Sequence, residues 1–219
     1  MAMKEKYNIG IALSGGGARG FAHAGALKAI SDTGLKPDIL SGTSAGAIAA
    51  IFYADGYAPE DIVELFFGRT LKEFAHLQVP TISVFEMTGF RKFLKTHLHK
   101  TNFEDLNIPV RIVATNLDEG KSHVFEKGPI IEALVASCSI PIVFNPVEIN
   151  GVHYVDGGIF KNFPVSIIRE ECEKVIGVNV SPMVSRKYNQ TITQIAERSY
   201  HFMSRTNTLA DRMLCDVLI

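Results

Sequence analysis

An α/β fold on a parallel sheet is predicted by three observations. The first fifty-odd residues alternate apolar strand-like runs with Gly-rich turns and small-residue helical stretches. The same alternation returns from Val110 onward. A composition of 47% hydrophobic and 21% charged residues over 219 positions suits a chain that buries a sizeable core.

Taken in order, Tyr7 to Ser14 reads as a buried strand that runs into Gly15-Gly16-Gly17. Ala18 to Thr33 has helical spacing, with Gly34 as its stop. Asp38-Ile39-Leu40 follows Pro37 as a second strand, then Gly42-Thr43-Ser44-Ala45-Gly46 turns into a small-residue helix from Ala47 to Ala54. This βαβα unit requires parallel strands. Pro59 to Phe67 reads as a helix with Glu60 and Asp61 at its electropositive end. Leu71 to Val84 is apolar and ambiguous, and Gly89 to Lys100 is an amphipathic basic helix. Strands at Val110 to Asn116 and His123 to Phe125 precede a helix from Pro129 to Cys138. Val147 to Asn150 and Val152 to Val155 flank Gly151 as a hairpin. The remainder reads as a helix at Pro164 to Glu171, a strand at Lys174 to Asn179 and a long amphipathic helix at Thr191 to Met213. With no repeat or linker in view, one domain over residues 1–219 is expected.

The charges nearly cancel, with 22 basic and 23 acidic side chains, so no global field favours nucleic acid. Cys138, Cys172 and Cys215 form no C-x-x-C pair, which argues against a disulfide framework or a zinc site and fits a reducing compartment. The N-terminal apolar stretch is too short for a signal-peptide core, and no run reaches the roughly 18 residues of a spanning helix. A cytoplasmic or membrane-peripheral location is the expectation. At the other end, Asp216 to Ile219 is an uncapped apolar run: either a docked edge strand or the point from which more chain once continued.

Two glycine turns carry the chemistry. Gly42-Thr43-Ser44-Ala45-Gly46 matches G-x-S-x-G between a strand and a helix, where flanking glycines let a strained Ser44 project as a nucleophile. The following helix start aims N–H groups at developing negative charge. The plain alternative is Ser44 as a helix N-cap. Gly15-Gly16-Gly17-Ala18-Arg19-Gly20 also follows a strand. As a dinucleotide fingerprint it lacks an acid at the end of the second strand, and as a Walker loop it has Phe21-Ala22 where Lys-Ser/Thr belongs. The loop fits an oxyanion hole of Gly15, Gly16 and Gly17 N–H groups. Arg19, a cation in a first helical turn, either pairs with a carboxylate or meets an anionic substrate group.

A nucleophilic serine needs a base. None of His23, His76, His97, His99, His123, His153 and His201 lies in a turn at the sheet's carboxyl edge. Asp156 ends a strand and precedes Gly157 and Gly158, which allow close chain approach. A desolvated carboxylate gains basicity and can take the serine proton directly. The bland alternative is an Asp-Gly turn residue, and His153 or His201 stays open as a rival base.

Together, Gly15 to Gly20, Gly42 to Gly46 and Asp156-Gly157-Gly158 resemble, in order and spacing, the three signatures of the patatin-like phospholipase family. Ala136 to Pro141 and Pro146-Val147 are similar to that family's stretch ahead of its catalytic Asp, and the likeness runs from about Ile9 to Val180. The resemblance implies a three-layer α/β/α sandwich with a mostly parallel central sheet. It also implies a Ser-Asp dyad hydrolase of lipid acyl esters that needs no metal or cofactor. Ser44 would be nucleophile, Asp156 base and Gly15 to Gly17 the oxyanion loop, with Arg19 the basic residue of the first motif and Gly20, Gly42, Gly46, Gly157 and Gly158 the remaining residues of the three motifs. Asn116 departs from the Asp common in bacterial relatives, and the end at Ile219 falls short of many of them, so truncation of a C-terminal element is suspected.

Beyond an acyl-ester substrate, Arg91, Lys92, Lys95 and Lys100 suggest contact with an anionic membrane surface, against the alternative of a helix packed on the core. Two other functions remain open on sequence: a nucleotide-binding module using the Gly15 to Gly20 loop, and a catalytically silent interaction protein of the same fold.

Overall fold

The computed structural model describes residues 7–69, 76–77, 85–181 and 191–219. Its strands are β1 (Tyr7–Leu13), β2 (Ile39–Thr43), β3 (His76–Leu77), β4 (Phe85–Glu86), β5 (Val110–Asn116), β6 (Lys121–Phe125), β7 (Val147–Ile149), β8 (Val152–Asp156), β9 (Cys172–Val178) and β10 (Val217–Leu218). The helices are α1 (Phe21–Asp32), α2 (Ala45–Asp55), α3 (Pro59–Phe66), α4 (Thr88–His97), α5 (Ile130–Cys138), α6 (Ile192–Thr206) and α7 (Thr208–Arg212).

The main sheet runs β10-β9-β1-β2-β5-β8-β7, with β6 on the far edge of β5. From β10 to β5 all neighbours are parallel, while β6 and β8 pair antiparallel with β5. The predicted βαβα start is present, and its strand alternation sorts side chains by face. Ile11 and Leu13 enter the larger core with Leu27, Leu40, Ile51, Phe52 and Leu134. Ala12 and Ile39 join a smaller core on the other face, with Phe163, Val165, Ile168 and Val175. Thus α2 and α5 pack on one side, and the 163–175 segment covers the other.

Two expectations shift. The helix expected at Pro164 to Glu171 is instead a run of turns ending in one 3₁₀ turn at Arg169–Glu171. Its carbonyls are taken by tertiary donors: Ser41 Oγ donates to Pro164 O at 2.9 Å, and Arg111 Nη1 to Ile167 O at 3.0 Å. The long final helix is divided into α6 and α7 at Asn207, whose side chain bonds elsewhere. Of Leu71 to Val84, all but His76–Leu77 lies outside the described residues. His76–Leu77 pairs antiparallel with Phe85–Glu86. Val217–Leu218 docks as the edge strand beside β9. No helix among the described residues is long and apolar enough to cross a membrane.

Candidate active site

The central feature of the site follows from strand registry. β2 pairs with the first half of β5, ending with Thr43 opposite Val113. β6 occupies the other edge of β5 from Ile112 to Asn116. β8 must therefore share the β2 edge, and it runs the opposite way, placing Asp156 opposite Ala114. So β2 and β8 meet head-on at successive positions of β5, and the residue after one strand faces the last residue of the other. That is how Ser44 and Asp156, far apart in sequence, reach one place.

Ser44 sits at φ 52°, ψ −119°, a strained region for a residue with a side chain. The strain, of order 1–3 kcal/mol, needs an over-determined setting. Ser44 N–H donates to Ser137 Oγ at 2.9 Å, and that hydroxyl donates to Val113 O at 2.7 Å. The turn also needs bare backbone: a Cβ on Gly42 would lie 2.6 Å from Ala47 N, and one on Gly46 would strike the Leu13 and Ser14 carbonyls. The Ser44 side chain makes no capping hydrogen bond to α2, so the N-cap alternative has no support in its geometry.

Asp156 is 1% exposed. Its Oδ1 accepts from Gly158 N–H at 2.8 Å and from the Tyr200 hydroxyl at 2.7 Å. Oδ2 is buried with no full hydrogen bond. Burial pushes the carboxyl up to about 6, and the bonds from Gly158 and Tyr200 and the nearby Ser44 hydroxyl oppose that rise. One oxygen is held by two donors and the other accepts none, in a cleft that Ser44 also lines. Cys138, from the end of α5, is also buried near Ser44, and burial pushes its thiol well up, so it stays neutral.

The glycine loop is pinned from three directions. Ser14 N–H donates to Val178 O at 3.0 Å, Val180 N–H to Ser14 Oγ at 2.9 Å, and Gly15 N–H to Asn162 O at 2.8 Å. Gly15 has thus committed its donor, which narrows the expected three-glycine hole to Gly16 and Gly17. His23 Nε2 bonds Ser14 O at 2.7 Å, and burial lowers its pKa to about 4, so the neutral ring donates and the residue serves packing. Arg19 Nε donates to Gly16 O at 3.3 Å across its own loop. Of the rival bases, His153 bonds Asp118 through its backbone N–H and ring on the exposed surface, whereas His201 lines the cleft from α6.

The polar cleft is bounded by Gly16, Gly17, Ser44, Asp156, Tyr200 and His201. It adjoins an apolar cavity of about 360 Å³ walled by Ile48, Ala49, Ile62, Phe66, Phe90 and Phe144, with Gly17, Ser44 and Ile140 common to both. Sequence reading missed Asn162, Tyr200 and Asn207, and it placed Ser137 in a family-like stretch without its role as the acceptor for Ser44 N–H. Asn162 lies near the Asp156-Gly157-Gly158 motif, but nothing in local spacing marks Asn162, Tyr200 or Asn207 as partners of the site.

The chain belongs to the patatin-like phospholipase family, whose model matches residues 11–168. It is 32% identical over 189 residues to mimivirus protein R571 from Acanthamoeba polyphaga mimivirus, covering 77% of this chain and 64% of that one. It is 34% identical over 163 residues to the NTE family protein Mb1092c of Mycobacterium bovis, covering 73% and 45%. Lysophospholipase NTE1 of Saccharomyces cerevisiae is 31% identical over 184 residues, 78% of this chain but 11% of that one. The chain therefore spans less than two thirds of these relatives. The crystal structure of VipD from Legionella pneumophila shares the fold, with a TM-score of 0.59, 16% identity, and coverage of 94% of this chain and 56% of that one.

Proposed function

We propose that this chain is a serine lipid acyl hydrolase that works through an acyl-enzyme. The observation that carries this reading is the buried Asp156, with Oδ1 accepting two hydrogen bonds and Oδ2 none, in one polar cleft with a strained Ser44 that also lines an apolar cavity. Asp156 Oδ2 takes the hydroxyl proton as Ser44 Oγ forms its bond to the ester carbonyl. Gly16 and Gly17 N–H groups hold the oxyanion, and removing one such donor typically costs about 3 kcal/mol of barrier. The tetrahedral intermediate collapses, the C–O bond to the alcohol breaks, and protonated Asp156 returns its proton to the leaving oxygen. Water, activated by the same carboxylate, then hydrolyses the acyl-Ser44 ester. A cavity of this volume and lining suits the hydrocarbon part of an acyl chain. The test is fluorophosphonate labelling with p-nitrophenyl ester turnover: Ser44→Ala should abolish labelling and cut hydrolysis at least about a thousand-fold. Full-rate hydrolysis by that variant would end the proposal.

Membrane contact through the basic helix takes a narrower form. Phe90, Phe93 and Leu94 of α4 are buried in the core, and Arg91 Nη2 pairs with Glu132 Oε2 at 3.0 Å. This favours the packed-helix alternative, leaving exposed Lys92 and Lys95 to attract an anionic surface by charge alone. Co-sedimentation with vesicles containing phosphatidylserine should weaken in Lys92→Glu/Lys95→Glu; binding equal to wild type removes this contact.

A further inference from the structure

Tyr200 lies on α6, beyond the 11–168 segment that defines the family match. Its side chain is buried, and its hydroxyl reaches Asp156 Oδ1 at 2.7 Å. We propose that Tyr200 is a positioning residue that keeps Asp156 ionised near neutral pH and directs its second oxygen at Ser44, so that α6 completes the catalytic apparatus. The inference rests on the Ser44–Asp156 reading above.

Three observations converge on it. First, Tyr200 and Gly158 N–H together saturate one side of the carboxylate, so the lone pairs of Oδ2 are the ones left for a proton. Second, the space occupied by the hydroxyl is the space a Cβ on Gly158 would need: that Cβ would collide with Tyr200 Oη and come 3.0 Å from Ser204 Oγ. The second glycine of the Asp-Gly-Gly motif is thus a clearance for a residue on another element. Third, α6 is tied to this loop. Asn207 Nδ2 donates to Gly158 O at 2.8 Å and Ile159 O at 3.0 Å, while its Oδ1 accepts from Asn162 N–H at 2.8 Å.

The chemistry needs such a partner. A fully buried carboxylate is driven toward its neutral form, which cannot accept the serine proton. A hydrogen bond donated to the anion works against that drive. Tyr200 is suited to donate without titrating, because burial, and then the charge of Asp156, push its own ionisation well above the ordinary range. The other groups facing Asp156 are Ser44 in the turn before α2, the neutral Cys138 thiol from α5, and Arg19 and His201 lining the same cleft. The tyrosine proton is not transferred: Oδ2 alone takes and returns the Ser44 proton.

The experiment uses the whole chain with Tyr200→Phe, which keeps the ring and removes the hydroxyl. The ionisation of Asp156 is followed by its infrared carboxyl band, identified by its loss in Asp156→Asn. The pH dependence of kcat/KM for p-nitrophenyl butyrate is measured in parallel. Loss of a bond to a charged group should move both the band titration and the acid limb upward by about one to two pH units. At pH 6, starting from a carboxyl at about 6, that is a fall in rate of roughly five- to fifty-fold, recovered in large part at higher pH. Gly158→Ala, which displaces the hydroxyl while leaving the tyrosine in place, should shift both in the same direction, and it serves if Tyr200→Phe does not fold. A uniformly lower rate with an unmoved limb and band would overturn the proposal and leave Tyr200 a packing residue. If wild type neither labels nor turns over but the band still shifts, the hydrolase reading fails while the control of Asp156 by Tyr200 stands.

Discussion

At the scale of single residues, the site holds two costly states side by side: a serine in left-handed backbone and a carboxylate without solvent. The carboxylate's cost depends on pH with a definite sign. The Asp156 pKa is raised by folding, so its contribution to stability is fully present below its unfolded value near 3.8 and lost as pH rises through about 6. Asp156→Asn keeps an acceptor for Gly158 and Tyr200 but cannot ionise. It should therefore unfold at higher temperature than wild type at pH 8, with a gain on the order of 3 kcal/mol, and lose that advantage below about pH 4. Thermal melts at the two pH values check this, and equal differences at both would contradict it. Stability gained with activity lost is the expected signature of a residue kept for function. Ser44 was legible because G-x-S-x-G between strand and helix has a local geometric reason. Tyr200 was not, because a tyrosine on an amphipathic helix looks the same whether it packs or donates.

Among the elements, the informative case is the stretch from Pro164 to Glu171. Its composition reads as a helix, yet the chain turns irregularly so that Pro164 O and Ile167 O can meet Ser41 and Arg111. Ser166 N–H likewise donates to Asp211 Oδ1 at 2.9 Å. Tertiary partners outweighed local propensity, which is a weak prior over so few residues. The same applies at Asn207, where a continuous helical pattern is divided because the side chain bonds across the Asp156 loop. Asn207→Ala removes three hydrogen bonds and leaves half-buried loop groups unpaired. A loss of about 2–3 kcal/mol in denaturant unfolding is expected, together with reduced Ser44 labelling. Unchanged stability would show that water replaces the amide at no cost. The hairpin of β7 and β8 was legible, since Asn150-Gly151 joins two apolar runs and both residues take positive φ.

Over the whole molecule, the larger core on one sheet face contains both the packing that stabilises the fold and the wall of the cavity next to Ser44. Ala49 is 3% exposed and contributes a methyl group to that wall. Ala49→Phe should fill cavity space and lower kcat/KM for p-nitrophenyl laurate far more than for the butyrate, because only the long chain needs the volume. A parallel fall for both esters would place the acyl chain elsewhere. The near balance of charge across 219 residues means that the lipid-surface contact proposed above would have to come from local clusters such as Lys92 and Lys95.

What the sequence determined by itself was the set of turns. Each signature is a short run of glycines around a serine, an arginine or an aspartate at the end of a strand, so G-x-S-x-G, the Gly15 to Gly20 loop and Asp156-Gly157-Gly158 could be read in the sequence before the neighbours their glycines make room for were known. Only the tertiary structure decided how they meet. The antiparallel entry of β8 onto the edge already used by β2, the commitment of Gly15 N–H to Asn162, and the arrival of Tyr200 from α6 all depend on pairing between distant segments. Strand direction and hydrogen-bond choice are settled by the closure of the whole sheet, and no local pattern of residues encodes them.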